Sequence, residues 1–207
     1  MKETTLKIFE TLFTRYPNLE IVKDDILKAY ETILATYRAG GKVLVCGNGG
    51  SAADAEHIVG ELLNKFKKHR ALPAGISARL PVELAAKLEG SLAAISLVSM
   101  TGVLSAAAND IEWQAAFAQQ TLGLAQENDT LIAISTSGNS PNCVAAAMVA
   151  KAKGASVIGL TGEKESKLSK ASDVTIRAPE TETFKIQELH LPIYHALCAA
   201  LEEELFQ

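Results

Sequence analysis

Five short runs, residues 43–46, 92–97, 130–135, 156–160 and 173–177, constrain the fold more than any other feature. Val43-Leu44-Val45-Cys46 is apolar throughout and half β-branched, with none of the alternation of a strand that has one face in water. The other runs are similarly short and apolar, and helical periodicity fills most of the gaps between them. That alternation predicts an α/β fold: a doubly wound, mainly parallel five-stranded sheet flanked by helices.

The rest of the chain fits around that sheet. Residues 1–40 read as an N-terminal helical extension. After Asp24 and Asp25, the apolar positions Ile26, Ala29, Tyr30, Ile33, Leu34 and Tyr37 recur at helical spacing, and Gly40-Gly41 ends the pattern. Residues 74–90 read as a short helical insert, with Pro81 in a first turn and Gly90 as a C-terminal cap. The last segment is helical in pattern, and Pro192 should kink it. At 207 residues, the chain suits a single domain spanning residues 1–207.

Composition excludes several function classes. A net charge of −4 lacks the basic excess that phosphate-backbone binding needs, so nucleic acid is not an expected direct partner. Cys46, Cys143 and Cys198 are odd in number, widely spaced and set in apolar surroundings. They read as reduced thiols, which places the chain in the cytoplasm. The N-terminus lacks a signal-peptide pattern, and no apolar stretch reaches membrane length.

Two loops carry the chemistry. Gly47-Asn48-Gly49-Gly50-Ser51 follows a strand and opens a helix, where glycine lets backbone approach an anion. The same letters fit a dinucleotide fingerprint, but the region about 20 residues on, where an acidic residue is needed, holds the basic run Lys67-Lys68-His69-Arg70. The second loop, residues 135–141, sets Ser135, Thr136, Ser137 and Ser140 before a helix that starts with Pro141. Four hydroxyls and free helix-start amides there suit a phosphate. A polar turn and N-cap is the plainer account of either loop alone; two such loops at strand ends favour a sugar-phosphate site. His57 and Glu61, four apart, share a helix face, with Asp54 one turn earlier. Gln187 and His195 lie two turns apart on the last helix, with His190 between them. A histidine and a carboxylate on one face can ligate a metal or act as general base, and equally can be a solvated surface pair.

The segments CGNGGSAADAEHIVGEL, the AND at 108–110, ISTSGNS, the LTG at 160–162 and IQELHLPIYH together resemble the sugar isomerase (SIS) domain, and within it the phosphoheptose isomerase family. The resemblance runs from about residue 25 onward, in order. It implies an SIS-type fold and a homotetramer with sites at subunit interfaces. The implied reaction converts sedoheptulose 7-phosphate into the corresponding heptose aldose phosphate. It also implies one zinc ion per subunit, held by His57, Glu61, Gln187 and His195, with Glu61 and His195 as the acid/base pair. The implied substrate contacts are Asn48, Gly49, Gly50, Ser51, Asn109, Asp110, Ser135, Thr136, Ser137, Ser140 and Gln187. Residues 74–90 and the alanine-rich run before Asn109 depart from the family pattern. Related SIS-domain proteins that bind the replication initiator lack the acid/base pair, which Glu61 and His195 supply here. A sugar-phosphate sensor would keep the serine loops and need neither residue.

Overall fold

In the computed structural model, which describes residues 1–206, five parallel strands form one sheet in the order β2-β1-β3-β4-β5. They are β1 Val43–Gly47, β2 Ala94–Ser96, β3 Thr130–Ile134, β4 Ser156–Gly162 and β5 Val174–Ala178. All four pairings are parallel; Val45, for example, stands opposite Ser96 on one side and Ile132 on the other. The strand order reverses beside β1, so the chain leaves β1 and β3 in opposite winding directions. In open α/β sheets a crevice forms at that switch, outside the carboxyl ends of the strands.

Side-chain alternation along each strand builds two cores. Val43, Val45, Ile132, Ile134, Ile158 and Leu160 face one apolar cluster. Leu44, Cys46, Leu131, Ala133 and Val157 face the other. The first core is covered by α1 Glu3–Arg15, α2 Lys23–Arg38, α3 Gly50–Leu63 and α10 Thr183–Leu205. The second lies under α6 Thr101–Asp110, α7 Ala116–Leu124 and α8 Pro141–Ala152, where buried Ala146, Ala147 and Ala150 let a helix sit close on the sheet. A five-residue helix, α9 Lys167–Ala171, leads into β5.

One local reading needs correcting. Residues 74–90 hold two four-residue helices, α4 Ala74–Ser77 and α5 Val82–Ala85, neither with a buried residue. Pro81 precedes the second helix, but Gly90 is not its cap: α5 ends at Ala85, with Ala86 as its C-cap. Gly90 is needed for close approach, because a Cβ there would stand 2.6 Å from the Phe206 ring and 2.8 Å from the Ala71 carbonyl. At the C-terminus, α10 continues through Pro192 as one helix of 23 residues. The proline lacks an N–H, so its cost is one missing intrahelical donor. Cys46, Cys143 and Cys198 are buried and unpaired. Among the described residues, no helix is long and apolar enough to cross a membrane.

Candidate active site

Helix α3 starts at the switch point and runs alongside α10 in the same direction. A Cβ on Gly50, at the start of α3, would lie 2.6 Å from Nε2 of Gln187, near the start of α10. Two turns further on, His57 meets Tyr194 and His195. The shared direction brings α3 residues and α10 residues together in matched pairs.

The centre of the cluster is three donor atoms. His57 Nε2 lies 3.1 Å from Glu61 Oε1 and 3.3 Å from His195 Nε2. All three ligand atoms fall within 4.8 Å of one another. A tetrahedral zinc ion with bonds of about 2.0–2.2 Å spaces its ligand atoms about 3.3–3.6 Å apart, and two imidazoles with one carboxylate are donors zinc takes. The residues present therefore fit the ion. Burial, and then His57, lower the His195 imidazole below its ordinary value, while Glu61 pulls the other way. A neutral imidazole is the form that accepts a proton or ligates a metal.

The cluster is braced on three sides. The Phe66 ring packs 5.3 Å from the His195 ring. The Tyr194 hydroxyl, on a nearly buried side chain, donates to Asp54 Oδ1 at 3.2 Å and contacts His57 Nδ1 at 3.0 Å. Burial raises the Asp54 carboxyl above the usual range, against the Tyr194 hydrogen bond and the His57 charge. Below the cluster, fully buried Arg70 donates to the carbonyls of Glu61 (2.7 Å) and Leu62 (2.6 Å), which end α3, and to the Glu202 carboxylate of α10 (2.8 Å).

The two loops meet at the switch point. Gly49 takes φ 57 and ψ −122, a region glycine alone enters without strain, and this turns the chain from β1 into α3. Ser51 is buried just inside the helix. Asn48 and Asn142 exchange reciprocal amide hydrogen bonds of 2.9 and 2.8 Å, tying the first loop to α8. In the second loop, Ser135 Oγ lies 2.9 Å from Ser140 Oγ, and Ser137 Oγ accepts from the Asn139 N–H at 3.2 Å. Thr136 is half-buried and Ser137 exposed, so the loop presents hydroxyls to solvent beside the open N-terminus of α8.

Not every candidate joins the cluster. Gln187 lies against Gly50, eight residues and about 12 Å of helix from His195. Asn109 and Asp110 are exposed at the end of α6, with Asn109 Nδ2 donating to Asp110 Oδ1 at 2.7 Å. His190 is buried apart from the cluster, donating from Nε2 to the Thr161 carbonyl at 3.1 Å. Sequence reasoning did not single out Asn142, Tyr194, Phe66, Arg70 or Glu202 as parts of the site. The available signals were weak: Asn142 follows the loop proline, and Tyr194 adjoins His195.

Two models of the SIS domain match the chain, one over residues 17–91 and one over residues 92–201. The phosphoheptose isomerase of Campylobacter jejuni strain 81116 is 39% identical over 184 residues, covering 89% of each chain. That of Rhodospirillum rubrum is 39% identical over 180 residues, covering 87% of this chain and 86% of the relative. The chain belongs to the phosphoheptose isomerase family. The fold agrees: the phosphoheptose isomerase structure from Neisseria gonorrhoeae superposes with a TM-score of 0.75 at 31% identity, covering 94% of each chain. That from Francisella tularensis gives 0.75 at 29% identity, covering 98% of this chain and 100% of the other. Family membership covers both the serine loops and the His57–Glu61–His195 cluster, since the matched spans contain them.

Proposed function

We propose that this chain is an aldose–ketose isomerase that converts sedoheptulose 7-phosphate into glycero-manno-heptose 7-phosphate by proton transfer through an enediolate. The observation that carries the reading is a carboxylate and two imidazoles converging within 4.8 Å between α3 and α10, in a chain whose relatives are phosphoheptose isomerases. Glu61 removes the proton from the carbon beside the carbonyl and returns it one carbon along. His195 moves the oxygen-bound proton. Each such transfer is worth about 10²–10⁴ in rate. Ser135, Thr136, Ser137 and Ser140 hold the phosphate. Asn48, Gly49, Gly50 and Ser51 line the approach, so binding far from the reacting carbons fixes their position.

Zinc belongs to this proposal as a resident ion on His57, Glu61 and His195, where it would polarise the carbonyl and stabilise negative charge on oxygen. Gln187, eight residues before His195 on the same helix, is the proposed fourth ligand, and Asn109 and Asp110 are exposed at the end of α6. That exposure of two residues the family resemblance assigns to the substrate supports a homotetramer in which one copy completes the site of another. Three unpaired buried cysteines support a cytoplasmic setting.

The test is incubation with sedoheptulose 7-phosphate in deuterated water, with and without zinc, read by NMR. Aldose product and deuterium beside the carbonyl, both lost in Glu61→Gln, are the expected result. Binding without turnover or exchange in the wild type would sink the isomerase reading and favour a sugar-phosphate sensor.

A further inference from the structure

Three potential metal-ligating atoms meet in the cluster, and an ion held among them needs a lone pair from each. A carboxylate oxygen has only lone pairs to offer, and a neutral imidazole shows either an N–H or a lone pair at each nitrogen. In the neutral ring, the form that ligates a metal, which one His57 turns toward Glu61 and His195 depends on which nitrogen carries the proton. The hydrogen-bond partner of the opposite ring nitrogen decides that.

That partner is Tyr194. Its hydroxyl has one proton and two neighbours within reach, Asp54 Oδ1 at 3.2 Å and His57 Nδ1 at 3.0 Å. The Asp54 carboxylate can only accept, so the Tyr194 proton goes to Asp54. The phenolic oxygen then has lone pairs alone for His57, and the second contact is a hydrogen bond only when His57 Nδ1 carries the proton. One assignment satisfies both contacts. The donor chain runs from His57 Nδ1–H to the Tyr194 oxygen, and from the Tyr194 O–H to Asp54. The elements bring these groups together. Asp54 lies one turn before His57 on α3, and Tyr194 precedes His195 on α10, so the relay crosses the same helix pair that builds the cluster.

We infer that Tyr194 and Asp54 are positioning residues that hold the His57 proton on Nδ1, so that the Nε2 lone pair points at Glu61 and His195 and the cluster takes up a divalent metal ion. This deepens the proposed metal site and rests on it. Tyr194 touches neither metal nor sugar in this account; it acts through His57.

The test uses Tyr194→Phe, which removes one hydroxyl from a packed ring and should leave the unfolding midpoint close to wild type. Zinc affinity, measured by competition with a chromophoric chelator, is expected to fall about 10–100-fold. Excess zinc should restore much of the lost isomerase activity, which it would not do for a merely structural defect. Nitrogen-15 NMR on histidine-labelled protein is expected to find the His57 proton on Nδ1 in the wild type. Asp54→Ala makes the distinguishing case. With its acceptor gone, the Tyr194 O–H turns to Nδ1, the His57 proton moves to Nε2, and zinc affinity falls at least as far as in Tyr194→Phe. Zinc affinity within twofold of wild type in both variants, or a wild-type proton on Nε2 alone, overturns the relay. Weakened zinc binding in the variants of a wild type that binds zinc without isomerising the sugar supports the relay while sinking the substrate reading.

Discussion

Asn48 and Asn142 join the two loops of the site through a closed pair of amide hydrogen bonds, 2.9 Å in one direction and 2.8 Å in the other. Asn142 is fully buried and its Oδ1 also accepts from the Cys143 N–H, so the pair stitches the end of β1 to the first turn of α8. The glycine loop and the serine loop are therefore linked through these two side chains.

Replacing Asn142 with Leu keeps the volume and removes this link. The Asn48 amide is then left partly buried without its partner, which costs about 1–3 kcal/mol. Urea denaturation should show that loss, and sugar-phosphate KM should rise while kcat changes little. Unchanged stability and KM would mean the loops are positioned by other contacts.

The Arg70–Glu202 pair makes a second prediction. Both side chains are buried, and Glu202 also accepts from the N–H groups of Phe66, Lys67 and Lys68. Burial pushes the Glu202 carboxyl up, but those hydrogen bonds and the Arg70 guanidinium outweigh it, so the group sits below the usual carboxylate range. A depressed folded pKa stabilises above the unfolded value of about 4.3 and loses that contribution as pH falls through the folded value. Removing one partner of a buried pair costs about 3–5 kcal/mol. Arg70→Met should show a loss of that size by denaturation at pH 7, and Arg70→Met with Glu202→Leu should recover most of it.

His190 titrates in the same sense for a different reason. Burial drives its pKa from 6.5 down to about 4, against the hydrogen bond to the Thr161 carbonyl. Between those values the unfolded chain binds a proton that the folded chain refuses. Stability therefore falls as pH drops from about 6.5 to about 4, by about 3 kcal/mol at about 1.4 kcal/mol per pKa unit. His190→Gln should flatten the pH–stability curve in that window; an unchanged slope would show that other groups carry it.

The sequence made the sheet legible because the central strands β1 and β3 are buried on both faces and read as bare apolar runs. Residues 130–134 could not be mistaken for a surface helix. Gly90 was misread because a glycine after a helical pattern looks like a cap, and only the fold brings Phe206 against it. The His57–Glu61 pair was visible as a four-residue spacing. Its meeting with His195 was not, since nothing in residues 183–205 says that α10 runs beside α3. Arg70 reads in the sequence only as the end of a basic run, yet its acceptor lies 132 residues away. Contacts made across the chain leave no local trace.

Gly50 offers the sharpest test of the outer part of the site. It opens α3 without a positive φ, so Gly50→Ala carries no backbone strain. The new methyl would nevertheless stand 2.6 Å from Nε2 and 3.0 Å from Oε1 of Gln187. A long flexible amide can swing away at little cost to folding, so the displacement falls on function. The unfolding midpoint should hold, while sugar-phosphate KM rises. If Gln187 mediates the effect, adding Gly50→Ala to Gln187→Ala should change KM no further, because contacting residues are non-additive where distant ones add. A KM increase that persists in the Gln187→Ala background would place the obstruction on the glycine loop itself.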